Sequence, residues 1–278
     1  RRKVVILKIQ CPAKVNLSLK ILDKRPDGFH NIESIMQSVS LYDYLYISVK
    51  PYKYTEILLA GNTVAIPYNE KNLVYKAAEI FMNFTKLPPH RINIYIEKRI
   101  PISAGLAGGS SDAAGAMFGL NRIFGEPLTH ERVHQLCSFL GSDLNFCLEG
   151  GCIAVRGRGE ILHKLPYQKA KISLIKPERL GISARDAYNA FSRKRELGIK
   201  CSFGKMDKFD NDLEWALIDD YPELQKIKKK YSKSVMSGSG SAYFAINTKF
   251  KPMDGYWIEN DLLTTDRGVC EVEDDLAL

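Results

Sequence analysis

The segment Pro101-Ile-Ser-Ala-Gly105-Leu106-Ala107-Gly108-Gly109-Ser110-Ser111-Asp112-Ala113-Ala114 sets three glycines and a serine pair between an alternating apolar run and a small-residue helical pattern. Backbone N–H groups at a helix start lack intrahelical partners, and the positive end of the helix dipole lies there. Such a turn is suited to an anion, and phosphate is the expected guest. The alternative is a plain strand-to-helix turn in which Ser110 or Ser111 is only an N-cap. Spacing excludes two better-known cradles. No Lys follows the last glycine, as Gly-x-x-x-x-Gly-Lys-Ser/Thr requires, and the glycines do not fit Gly-x-Gly-x-x-Gly.

Four other places carry groups that could do chemistry. Ser237-Gly238-Ser239-Gly240 feeds an apolar run and has the composition of a second phosphate-contacting loop, with an ordinary β-turn as the equal alternative. Lys14, Asn16 and Ser18 alternate with Val15, Leu17 and Leu19, which puts the polar set on one strand face. A solvent-facing lysine gives the same pattern. Asp143 follows the Gly141-Ser142 turn and leads into an apolar run read as a strand, so it is either a general base or a turn cap. The turn Asp23-Lys-Arg-Pro26-Asp27-Gly28 presents Phe29 and His30, a pair that could stack on and hydrogen-bond a planar base or simply cover a core edge.

The elements that position these groups follow from periodicity. Strands are expected from Lys3 to Gln10, from Pro12 to Ile21 after a break at Pro12, and over Ile32 to Val49 with a turn at Ser40–Asp43. Residues 50–69 read as an irregular hairpin excursion. Ile92, Ile94 and Ile96 alternate in the strand before the glycine-rich turn. Helices are expected over 72–84, 111–124, 183–191, 211–218 and 222–231, with one opened by Thr129 and stopped by Gly141. Short β runs are expected at 150–155 and 172–175, and the acidic tail at 271–275 is expected to fray.

Bulk properties bound the function. The 278 residues are 45% hydrophobic and 26% charged, the balance of a globular chain with room for two lobes divided near Pro166. No apolar run approaches the roughly 20 residues that cross a bilayer, and the basic-apolar start is too short for an intact signal sequence. The protein is therefore expected to be soluble. Six scattered cysteines without a Cys-x-x-Cys pair read as thiols in a reducing compartment, and no resident metal is expected. The net charge of +8 suits an anionic partner. The basic clusters at 193–195 and 226–230 lack interleaved aromatics and read as solvated faces, not RNA grips.

Three separated stretches together resemble the GHMP kinases, the small-molecule kinases named after galactokinase, homoserine, mevalonate and phosphomevalonate kinases. The glycine-rich turn matches their Pro-x-x-x-Gly-Leu-x-x-Ser-Ser signature, and Ser237-Gly238-Ser239-Gly240 is similar to their third motif. The opening Pro12-Ala13-Lys14-Val15-Asn16-Leu17, with Arg25-Pro26-Asp27-Gly28-Phe29-His30, resembles the branch that phosphorylates the diphosphocytidyl ester of methylerythritol in the non-mevalonate isoprenoid route. Gly141-Ser142-Asp143, Gly157-Arg-Gly159-Glu160 and Leu174-Ile-Lys-Pro177 resemble the same branch, and the last two its plastid versions. The likeness covers roughly residues 8–245. Ala107 stands where the family usually has Gly, Asp112 where Asn is common, Asn145 where Pro is common and Phe29 where Tyr is frequent.

The resemblance implies an α+β fold of two lobes, 1–166 similar to a ribosomal-protein domain and 167–278 ferredoxin-like. It implies ATP as cofactor with Mg²⁺ carried on the nucleotide, and a cytidine diphosphate sugar alcohol as substrate. Asp143 would take a proton from the 2-hydroxyl, with Lys14 beside it and Asn16 on the substrate. Pro101, Gly105, Leu106, Ala107, Gly108, Gly109, Ser110 and Ser111, with Ser237, Gly238, Ser239 and Gly240, would hold the phosphates. Phe29 and His30 would read the cytosine, with Tyr188 as partner from the second lobe and Phe191 as the competing aromatic. The rival readings are a GHMP kinase for mevalonate or homoserine and, remotely, a non-catalytic RNA-binding protein. The implied setting is plastid stroma or bacterial cytoplasm, with no nucleic-acid or membrane partner and a monomer or weak homodimer.

Overall fold

The computed structural model describes residues 6–199 and 209–273. The expected strand start at 3–5, Cys201 and the end of the acidic tail lie outside these residues. Strand β1 (Leu7–Lys24) pairs antiparallel with β2 (His30–Pro51) across the turn ending at Gly28, whose φ is +86°. The expected breaks at Pro12 and at Ser40–Asp43 are absent as breaks. The register passes from Pro12 opposite Tyr42 to Ala13 opposite Val39, so β2 absorbs Ser40 and Leu41 as a bulge and both strands run on. Ser40 Oγ there accepts from the Leu263 N–H at 2.8 Å, which gives the bulge a partner in the second half of the chain.

Residues 50–69 are also more regular than expected. β3 (Glu56–Gly61) lies parallel to β4 (His90–Glu97), and α1 (Leu73–Thr85) forms the crossover that parallel pairing requires. Because β2 has 22 residues, β4 pairs along Tyr44–Pro51 while β5 (Cys152–Gly157) pairs along Ile32–Gln37, with β6 (Ile161–Lys164) beside β5. Over one face lie α1, α2 (Gly108–Ile123), α3 (His130–Leu140) and α4 (Leu144–Glu149). The run after Asp143 is therefore a helix and not the expected strand. A six-residue apolar run carries no distinguishing period, and burial of Leu144, Phe146 and Cys147 against neighbouring helices decides it.

The second sheet has the order β10 (Tyr256–Leu263), β7 (Lys171–Pro177), β9 (Tyr243–Ile246), β8 (Val235–Met236), antiparallel throughout. Its helices are α5 (Ala184–Glu196), α6 (Asp212–Leu217) and α7 (Pro222–Lys230). Polar N-caps start the helices where the sequence signals them: Asn72, Thr129, Ser183 and Asn211 each accept a first-turn N–H. Lys194 departs from a solvated face. It is buried, with Nζ donating to Trp215 O at 2.8 Å and to Asp219 at 2.7 Å. After β10 the described chain returns to the first sheet, where β11 (Cys270–Val272) pairs with β1.

A third apolar cluster fills the seam between the sheets: Ala13, Val15, Val39 and Leu41 meet Ile172, Leu174, Phe244 and Leu262. Ala104 and Leu106 of the glycine-rich turn are buried in it. That seam is what holds the turn in place.

Candidate active site

Between the buried Ala104 and Leu106, Gly105 presents its carbonyl to two segments at once. Its oxygen accepts Lys14 Nζ at 3.1 Å and Ser237 Oγ at 2.9 Å, while Lys14 N–H bonds Leu106 O at 3.1 Å and Ala242 N–H bonds Ala104 O at 3.1 Å. With φ at +74°, and with Ser237 O only 2.0 Å from where a Cβ would stand, only glycine fits at 105. α2 starts directly after. Its N-cap is Ala107, at φ 58° and without any side-chain cap bond, so neither Ser110 nor Ser111 is the cap. The first-turn donors of Gly108, Gly109 and Ser110 lie on the wall of a cleft of about 960 Å³ and receive no side-chain oxygen at the cap. Ala107 adopts the left-handed conformation that the family's usual glycine would adopt freely.

Pro101, Gly105, Leu106, Ala107, Gly108, Gly109, Ser110, Gly238 and Ser239 line that cleft, whereas Ser111, Ser237 and Gly240 do not. Ser111 is buried beside Cys147. Ser237 works underneath, tying Gly105 O to the Asn16 N–H, and Gly240 N–H closes the turn on Ser237 O at 2.9 Å.

The strand face read from the sequence is buried rather than solvated. Lys14 is 3% exposed, and its Nζ donates to Asn16 Oδ1 at 2.6 Å and stands 3.6 Å from Asp143 Oδ2. Asn16 Nδ2 donates to Ser34 Oγ at 2.8 Å, and Ser34 donates on to Ser18 O at 2.6 Å, which fixes the amide orientation. Ser18 itself is buried away from the cleft. Asp143 precedes α4 yet accepts no cap hydrogen bond; its carboxylate points into the cleft beside Lys14. The cap reading of Asp143 fails on that point.

Beneath the turn lies a cluster that sequence reasoning missed. Lys98 Nζ bonds Asp112 Oδ2 at 2.8 Å and the Asp43 carboxylate, and Asp43 also accepts the Arg99 and Ile100 N–H groups. Burial pushes the Asp112 carboxyl up to about 7; Lys98 offsets this in part and the Asp43 charge adds to the rise. For Lys98 burial acts downward, and the two carboxylates overcome it and raise the ammonium above its ordinary value. Asp112 is therefore paired with a lysine, and both residues also reach the wall of the cleft. Only the long-range pairing of residues 43, 98 and 112 shows this, and no local pattern carries it. Asn145, the other departure near the site, is buried and bonds Ser138 Oγ at 2.8 Å.

At the outer end, His30 stacks on Tyr188 with ring centroids 5.5 Å apart and planes 18° apart. Both line the cleft, while Phe191 is buried behind them with its ring edge-on to His30. Burial raises the Tyr188 phenol well above its ordinary value, and the charge of Asp143 adds to it. Burial, with Lys24 and Arg195 nearby, lowers His30, so its imidazole is neutral at pH 7 and offers one donor and one acceptor. Phe29 is exposed on the same rim under the Arg158 guanidinium at 5.0 Å. Lys24, Arg158 and Arg185 add positive charge to this end.

Residues 72–151 match the model of the GHMP kinases N terminal domain. The fold is also that of homoserine kinase from Cytophaga hutchinsonii, with a TM-score of 0.69 at 16% identity over 96% of this chain and 97% of that one. Fold and cleft thus define a small-molecule kinase of the GHMP class. More specifically, the chain is 37% identical over 263 residues to a 4-diphosphocytidyl-2-C-methyl-D-erythritol kinase of Syntrophomonas wolfei, covering 88% of this chain and 90% of that one. A crystal structure of 4-(cytidine 5'-diphospho)-2C-methyl-D-erythritol kinase superposes with a TM-score of 0.72 at 26% identity, covering 93% of this chain and 100% of the other. The chain belongs to the 4-diphosphocytidyl-2-C-methyl-D-erythritol kinase family. It is accordingly a phosphotransferase acting on an alcohol, and ATP use goes with that kinase membership. Among the described residues no helix is long and apolar enough to cross a membrane.

Proposed function

We propose that this chain transfers the γ-phosphoryl group of ATP to the 2-hydroxyl of 4-diphosphocytidyl-2-C-methyl-D-erythritol, a step toward isoprenoid precursors. The observation that carries the reading is the Lys14–Asp143 pair, 3.6 Å apart and joined to the phosphate turn through Gly105 O. The substrate oxygen attacks phosphorus, the bond from the γ-phosphorus to its bridging oxygen breaks, and ADP leaves with that electron pair. Asp143 accepts the hydroxyl proton, a role typically worth about 10²- to 10⁴-fold. Lys14, held by Asn16 and Gly105, orients the carboxylate and the incoming oxygen and supplies positive charge against the developing negative charge.

The free first-turn donors at Gly108, Gly109 and Ser110, on the wall of the cleft, fit a chain of phosphates. Mg²⁺ would arrive on the phosphate oxygens, with the Ser110 hydroxyl available to it, and would neutralise phosphate charge. Asp112 is committed to Lys98 and is not proposed as its ligand. At the other end the neutral His30 imidazole reads the cytosine edge, with Tyr188 behind it and Phe29 offering a ring face. Lys24, Arg158 and Arg185 face the diphosphate. We place the lobe division near residue 166, with β11 returned to the first lobe. The described cysteines are free thiols, which supports a reducing compartment such as bacterial cytoplasm or plastid stroma.

The test is ADP release with diphosphocytidyl-methylerythritol, mevalonate and homoserine offered separately. Turnover is expected on the first alone. Turnover on either of the others with none on the first overturns the assignment.

A further inference from the structure

Outside the cleft, two imidazoles and a carboxylate converge on one point. His130 and His134 are four residues apart on α3 and so share a face. His130 Nε2 is 2.8 Å and His134 Nε2 is 2.9 Å from the same oxygen, Oε1 of Glu149, the last residue of α4. The three ligand atoms lie within 4.8 Å of one another, and they are the one such group of His, Cys, Asp or Glu among the described residues. None of the three lines the cleft.

We propose that His130, His134 and Glu149 form a binding site for a divalent transition-metal ion of the zinc class on the outer side of the α3–α4 hairpin. Zinc bonds nitrogen and oxygen at about 2.0–2.1 Å in a tetrahedron, which sets neighbouring ligand atoms about 3.3 Å apart. Reaching that from 2.8 and 2.9 Å takes a small outward movement of each ring. His130 is 75% exposed and has room for it. A two-imidazole, one-carboxylate donor set suits zinc, copper or nickel and is a poor match for Mg²⁺, which prefers oxygen. Each imidazole would turn its Nε2 lone pair to the metal in the Nδ1–H tautomer, and a water would complete the shell.

The two oxygens of Glu149 are divided between different partners. Lys164 takes the other oxygen, Oε2, at 2.6 Å and leaves Oε1 to the imidazoles. As a cation it opposes the metal, yet its side chain is 69% exposed and free to swing aside. An ion so placed ties the first turn of α3 to the end of α4. The turn between those helices carries Asp143, so metal occupancy stiffens the hairpin that bears the proposed base.

Zinc chloride titrated calorimetrically into the full chain, without nucleotide, tests the site directly. One ion per chain and a rise of melting temperature with zinc are expected. His130→Ala and His134→Ala should each weaken binding by about tenfold or more, and Lys164→Met should tighten it. Both histidines are on the surface side of α3, and circular dichroism verifies that the variants are folded. Absence of saturable binding by the parent chain, or an affinity unchanged in both histidine variants, overturns the proposal. Kinase activity is not part of the readout, so failure here leaves the phosphotransfer reading intact.

Discussion

Two buried lysines flank the glycine-rich turn, and they differ in how completely their charge is used. Lys98 is clamped between Asp43 and Asp112, and Asp43 is further occupied by two backbone N–H groups. Lys14 has neutral partners in Asn16 and Gly105 and a single carboxylate, Asp143, at the longer distance of 3.6 Å. The side chain of Asp143 remains 29% exposed, against 3% for Asp112. Both clusters reach the cleft wall, and Asp112 Oδ1 is left without a partner. The charge of Lys98 is nevertheless saturated by two nearly sealed carboxylates, whereas the unsaturated Lys14 pair leaves an accessible carboxylate with capacity for a substrate. The contrast separates structural from chemical carboxylates where residue type alone does not.

The largest effect should come from the unsaturated side. Asp143→Asn keeps the shape and removes the base, and kcat is expected to fall at least a hundredfold with nucleotide affinity nearly intact. Its melting temperature should hardly move, because the carboxylate supplies no cap bond. A parental kcat in this variant would remove Asp143 from the mechanism. On the saturated side the sign of the contrast reverses. Lys98→Met strands two buried carboxylates and should cost about 3–5 kcal/mol of stability, a drop of roughly 10 °C in melting temperature. Lys14→Met, whose carboxylate partner can turn to water, should lose less than half as much. Equal losses in thermal melts of the two variants would erase the distinction.

How far the sequence revealed this depends on the range of the interaction concerned. Periodicity located every described helix except α4, with the starts of α1, α3 and α5 placed within a residue, since caps such as Asn72, Thr129 and Ser183 act locally. The glycine-rich turn was legible because a helix start displays its donors whatever surrounds it. The continuity of β1 and β2 was not, because Pro12 and Ser40–Asp43 are genuine turn signals that the partner strand converts to a bulge. The parallel pairing of β3, the helical state of α4 and the Asp43–Lys98–Asp112 cluster depend on partners distant in sequence. Lys14 and Asn16 were placed correctly on one face, but their burial required the loop at Ser237 from the far end of the chain. His30 and Tyr188 were nominated by resemblance, and their stacking across 158 positions is a property of the fold.

The smallest effect lies within the saturated cluster and is visible only as a pH dependence. Burial pushes the Asp112 carboxyl up to about 7 in the fold, against 3.8 for a solvent-exposed aspartate in the unfolded chain. Between those limits the native state holds a proton that the unfolded chain has released, so stability must fall as pH rises and level off above about 7. At about 1.4 kcal/mol per unit, and with about two units between pH 5 and the folded value, the loss from pH 5 to pH 8 is on the order of 3 kcal/mol. Asp112→Asn, the residue common in the family, has no proton to lose. Its melting temperature relative to the parent chain should therefore climb between pH 5 and pH 8. The group cannot be paired as a fixed carboxylate and also yield that slope: a difference that stays flat across the range would mean Lys98 holds Asp112 fully ionised in the fold. In that case the bracing cluster would carry a permanent negative charge beneath the phosphates, and the contrast with Lys14 would rest on geometry alone.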